Sequence, residues 1–133
     1  MSNYFTFKSI FIMKQTYFIL VLVFTLSCNK DNKCDSSLFN GEWRGPKSCH
    51  LTQSTVSVRL SSISSSTVRV NAPGIDGLDV ERCGCKLSFD NTALGIGQTL
   101  EGSLSSDGTK LTFTHTREAV LGSITKCSYD LNK

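Results

Sequence analysis

Six cysteines carry most of the chemistry open to this 133-residue chain. Two of them, Cys83 and Cys85, are separated by a single glycine. On an extended strand alternate side chains point the same way, so both sulfurs would face one side. That arrangement suits a metal ion or thiol–disulfide exchange, or else two half-cystines with different partners. Zinc sites combine Cys-x-x-Cys units or add histidines at short spacing, and neither pattern accompanies this pair. Half-cystines are expected, and no metal.

His50 and His115 are the only histidines. A serine hydrolase would need a nucleophile beside one of them, and no G-x-S-x-G elbow is present. His115 follows Leu111 and Phe113 at alternate positions, so it reads as part of an apolar face with a structural role. Asp76, Asp79 and Glu81 lie near glycines and offer oxygen ligands to Ca²⁺. Their spacing does not match an EF-hand, and they read as a solvated acidic loop. No catalytic residue, metal or cofactor is expected, and the chain is not expected to be an enzyme.

The elements that hold these residues follow a leader. Lys14 precedes an apolar run over residues 17–26, interrupted only by Thr25. About twenty residues are needed to span a hydrocarbon core, and this run is too short. A positive start, a short apolar stretch and small residues at its end describe a secretory signal. A second apolar patch over residues 4–12 precedes Met13. Either Met13 is the natural start or residues 1–12 extend the positive region. Residues 1–27 are set aside in both cases.

The run ends in Leu26-Ser27-Cys28, which resembles the lipobox of bacterial lipoproteins. In that family the cysteine is joined to diacylglycerol through its sulfur and becomes the first residue of the mature chain. The Asn29-Lys30-Asp31 that follows is similar to the export tail of Bacteroidetes surface lipoproteins. The resemblance implies a lipidated Cys28, a membrane partner reached through that lipid, and residence at the outer membrane or cell surface.

Residues 28–133 suffice for one domain. Without Lys8 and Lys14, twelve basic side chains face eleven acidic ones. Nucleic-acid binding needs a clustered basic face, and this balance argues against it. In an oxidising compartment the cysteines read as a disulfide framework. With Cys28 lipidated, Cys34, Cys49, Cys83, Cys85 and Cys127 remain, and one thiol is left free or shared.

Residues 28–37 are polar and read as a tether, with the globular part over residues 38–133. Val56, Val58 and Leu60 alternate with polar residues, the mark of a half-buried strand. After the serine-rich residues 61–66, Val68 and Val70 alternate again, so the two segments form a hairpin. Residues 71–79 are dense in Gly and Pro and are expected to be loop. Extended structure resumes over residues 80–89, with Cys83, Cys85, Leu87 and Phe89 on one face. Leu100, Gly102 and Leu104 lead to Asp107-Gly108, a hairpin signal. Leu111 and Phe113 share a face opposite Thr112, Thr114 and Thr116. Cys127, Tyr129 and Leu131 give the inward face of a closing strand.

Seven or eight short strands at such spacing predict an all-β antiparallel meander, a small barrel or sandwich. In a closed meander the first and last strands are neighbours, which predicts a Cys49–Cys127 bridge. Cys34 is then left for Cys83 or Cys85, and the other becomes the odd thiol. Gly41-Glu42-Trp43, the meander and the leader together resemble the small lipocalin-like lipoproteins of Bacteroidetes. That resemblance implies a β-barrel. Trp43, on the general behaviour of so large a side chain, reads as core, with the floor of a ligand pocket as the other reading. The resulting expectation is a lipid-anchored envelope domain, acting as a non-enzymatic binding or structural module toward a small molecule or envelope protein. The alternative is a carrier of a small hydrophobic ligand. A side-chain-filled interior favours the first, and an apolar cavity above about 300 Å³ the second.

Replacing Cys28 with Ala should release soluble protein or stall the precursor, as read by membrane fractionation. A Cys28→Ala protein processed and membrane-bound like the wild type would contradict the lipoprotein reading.

Overall fold

The computed structural model describes residues 34–93 and 96–133. The fold is all-β, as the alternation predicts. Eight antiparallel strands run in chain order: β1 Gly41–Cys49, β2 Thr52–Ser62, β3 Thr67–Ala72, β4 Ile75–Cys83, β5 Lys86–Ala93, β6 Ile96–Leu104, β7 Lys110–Glu118 and β8 Ile124–Asn132. Each pairs with its neighbour, and β8 returns to β1 to close a barrel, an architecture consistent with a lipocalin-like barrel. The only helical turn among the described residues is a 3-10 turn, Ser36–Phe39, ahead of β1.

Period-2 alternation settles which side chains fill the barrel. Trp43, Val58, Leu60, Val68, Val70, Val80, Leu100, Leu111 and Leu131 are essentially without exposure. Each buried aliphatic or aromatic side chain contributes about 1.5–3 kcal/mol. The register stacks them in layers, with Leu104, Leu111 and Leu131 across β6–β8 and then Gly102, Phe113 and Tyr129. The Phe113 and Tyr129 rings stack with centroids 4.2 Å apart. Gly102 makes room for them, since a Cβ there would lie 2.4 Å from the Phe113 Cβ.

The two ends of the barrel differ. At one end the 3-10 turn forms a plug. Phe39 is fully buried, and the Trp43 indole N–H donates to its carbonyl at 3.0 Å. Lys133 Nζ donates to the Leu38 carbonyl and lies 5.2 Å from the centre of the Trp43 ring. Arg82 holds the same end together by donating to the carbonyls of Cys34, Gly84 and Ser65. The opposite end, reached by the β1–β2, β3–β4 and β7–β8 turns, has no such plug among the described residues.

Two disulfides fix this arrangement. Cys49 is bonded to Cys127 across the β1–β8 seam, with Cα atoms 4.2 Å apart. Cys34 is bonded to Cys85, with Cα atoms 5.0 Å apart. No cysteine among the described residues is free, Cys83 included, so neither Cys83 nor Cys85 is the odd thiol expected above.

Three further expectations need correction. Residues 71–79 are not a loop: β3 runs to Ala72, and β4 begins at Ile75 after a two-residue Pro73-Gly74 turn. The glycines serve the turn and a bulge. The β3–β4 register slips between Val70 and Ala72, and Gly77 takes φ +62°, a conformation that favours glycine. Its N–H donates to Asn71 Oδ1 at 3.0 Å. Second, Cys83-Gly84-Cys85 does not lie on one strand. Cys83 ends β4, and Gly84-Cys85 form the turn before Lys86. Third, the chain is already docked at Cys34, which is only 3% exposed, rather than free as a tether through Ser37.

The Cys49–Cys127 bridge spans 78 residues of sequence, which the chain-entropy model values at about 4 kcal/mol. The Cys49→Ala/Cys127→Ala double variant should lose stability of that order in urea denaturation. An unchanged unfolding midpoint would show that the ladder alone closes the barrel.

Candidate functional site

Along β5–β8 the inward row nearest the open end changes character. Phe89, Leu100, His115 and Cys127 form one layer, and the next is Asn91, Gln98, Arg117 and Thr125. The apolar interior thus ends in a polar ring. Above it lies a concavity of about 410 Å³, lined by Ile75, Leu78, Asn91, Gln98, Arg117 and Glu118 among others. The β4–β5 ladder pairs only from Glu81 to Cys83. The upper parts of these two strands therefore separate, and the cup opens between them.

His115 forms part of the wall beneath the cup. It is 6% exposed, and its Nε2 lies 3.1 Å from Gln98 Oε1. With Gln98 accepting, Nε2 carries the proton. Burial holds the imidazole below the usual histidine range, and the nearby charges of Arg117 and Lys47 push it the same way. Lys47 points inward from β1. Its ammonium lies 5.3 Å from the centre of the Tyr129 ring and donates to the Pro73 carbonyl at 2.9 Å. It therefore reaches from β1 to the β3–β4 turn, its stem along apolar surface and its charge near water.

The residues singled out from sequence sit elsewhere. Trp43 is wholly buried beside the plug and does not line the cup. Asp79 pairs with Arg69 on the outer face, and Glu81 is exposed there. Asp76 reaches the rim. No group of three or more potential metal ligands occurs among the described residues. Cys34, Cys49, Cys85 and Cys127 are structural bridges, and Cys28 lies outside the described residues. Sequence reasoning missed Lys47, Asn91, Gln98 and Arg117. Their signal was parity: Lys47 keeps step with Trp43, and Arg117 with Leu111, Phe113 and His115.

Comparison with protein-family models, with curated proteins and with solved structures found no match.

The His115 environment has a consequence for stability. Its folded-state pKa lies below the unfolded one. The unfolded chain therefore takes up the proton first as pH falls. Stability should be complete above about pH 6.5, the ordinary histidine value, and decline as pH falls toward the folded pKa. His115→Gln should flatten that decline between neutral and mildly acidic pH in urea titrations. Equal declines in the two proteins would contradict this account of His115.

Proposed function

We propose that this domain is a non-enzymatic binding module that takes a small molecule at the open mouth of its barrel. The observation that carries the reading is the change from apolar layers to a polar ring beneath a cup of about 410 Å³. The layers below hold packed side chains, including the Phe113–Tyr129 stack. This favours a ligand held at the mouth over a hydrophobic ligand enclosed at the centre. The chain enters the barrel at the plugged end, so an N-terminal attachment leaves the cup facing away from whatever holds the domain.

The leader supports attachment to the outer membrane or cell surface through lipid on Cys28. Cysteine parity supports a second reading. Four of the five cysteines after Cys28 pair with each other, and Cys83 is not free. A thioether at Cys28 then requires Cys83 to bond outside this chain. Cys28 counted as a half-cystine instead makes six, which pair completely, in a secreted domain without lipid. Intact mass before and after reduction separates the two: a diacylglycerol increment supports the anchor, and three disulfides without it support the secreted form.

Binding is tested by amide chemical-shift mapping of the isotope-labelled domain against a set of small polar fragments. Shifts should cluster at Ile75, Asn91, Gln98 and Arg117. Shifts centred on Trp43, Val58 and Leu100 would support the hydrophobic carrier instead, and an unperturbed spectrum would overturn the binding reading.

A further inference from the structure

Among the described residues the charged side chains at inward ladder positions all have one sign, while the carboxylates of Asp76 and Glu118 reach only the rim. On the regular ladders Lys47, Arg82 and Arg117 occupy inward positions, and His115 joins them. Arg82 is consumed at the plug by three carbonyls. The carboxylates of Glu42, Asp79, Glu81, Asp90, Glu101 and Asp130 all sit on exposed, outward positions. The ion pairs among the described residues are Arg44–Glu42, Arg69–Asp79 and Lys110–Asp130, all on the outside. Neither Lys47 nor Arg117 has a carboxylate partner there. Among the described residues no hydrogen bond reaches the Arg117 guanidinium, and Lys47 uses one of its three N–H groups on Pro73.

We infer that the cup binds a small organic monoanion, a carboxylate attached to a short apolar group. The inference rests on the binding reading above and names its ligand class. The carboxylate would take the planar fork of Arg117 from one side, a geometry that guanidinium matches with two parallel hydrogen bonds. The Gln98 amide supplies a further donor, Lys47 stands beside the cup at the Pro73-Gly74 turn, and Ile75 and Leu78, both largely buried, offer the apolar wall. Asp76 and Glu118 at the rim bring the charge around the cup near balance. They disfavour a dianion such as phosphate, whose second charge would meet them.

Occupancy should be visible at His115. The charged groups around it are Lys47 from β1 and Arg117 from β7, with Asp76 and Glu118 at the rim; β2, β3, β5 and β6 turn no charged side chain toward it among the described residues. Both cations oppose its protonation. A bound carboxylate would offset them and raise the pKa of the imidazole, and by linkage the anion would bind more tightly at lower pH.

The test is an NMR titration of the folded domain with hexanoate, hexanamide and inorganic phosphate, following the mouth amides and the His115 imidazole. Hexanoate should shift the mouth amides and raise the His115 pKa, while hexanamide and phosphate bind at least several-fold more weakly. Arg117→Gln should weaken hexanoate about tenfold, the scale of one charge-assisted hydrogen bond, and Arg117→Lys should restore part of it. Arg117 is exposed, so a superimposable amide spectrum away from the cup checks that the fold is intact. Equal binding of hexanoate and hexanamide with a stationary His115 would overturn the anion inference and leave the mouth reading standing. Phosphate preferred over hexanoate, or Arg117→Gln binding hexanoate like the wild type, would overturn it too. If none of the three probes perturbs the mouth, both readings fall.

Discussion

Everything in this domain depends on β8 returning to β1. An open eight-stranded meander would expose the unpaired backbone of two edge strands, and closure alone removes them. The seam is made under difficulty. Pro46, midway along β1, has no N–H to give the ladder. Gly45 beside it lies so close to β8 that a Cβ would sit 2.1 Å from the Asp130 carbonyl oxygen. The observed partners across the seam are Arg44 with Asn132, then Lys47, Ser48 and Cys49 with Tyr129, Ser128 and Cys127. The disulfide sits at the end of this interrupted ladder, where a covalent bond does most to keep the strands together.

Closure also decides what the interior is. Once the seam is shut, the two-residue alternation of every strand separates an enclosed set of side chains from a solvated one. The plug seals one end with Phe39 and Trp43. At the other end the enclosed set becomes polar while the strands are still paired, which leaves Asn91, Gln98 and Arg117 facing into the cup. Burying a charge without a partner is costly. Lys47 avoids that cost by reaching the Pro73 carbonyl, and His115 avoids it by remaining neutral.

The barrel was legible because its strands alternate cleanly. Val56 to Leu60, Leu111 to His115 and Cys127 to Leu131 each disclose their inward face without tertiary information, and the Cys49–Cys127 bridge follows from putting the first strand beside the last. Residues 71–79 misled because the same Gly and Pro content that marks a loop also makes a tight turn followed by a bulge. Cys83-Gly84-Cys85 misled for a related reason: a one-residue spacing aligns sulfurs on a strand, and here it straddles the corner between two. The cup was the least legible part. A lysine or arginine in a strand ordinarily reads as solvated, and only the register shows that Lys47 and Arg117 lie on the inner face. The docking of Cys34 was hidden by the polar composition of the residues around it.

Native-state hydrogen exchange tests the dependence on closure most directly. In the Cys49→Ala/Cys127→Ala variant, the β1 and β8 amides that donate across the seam should lose protection well before those of the β5–β6–β7 ladders, because the seam would open locally before the barrel unfolds. Protection lost uniformly over all eight strands, or retained at the seam, would contradict the claim that the bridge holds this closure.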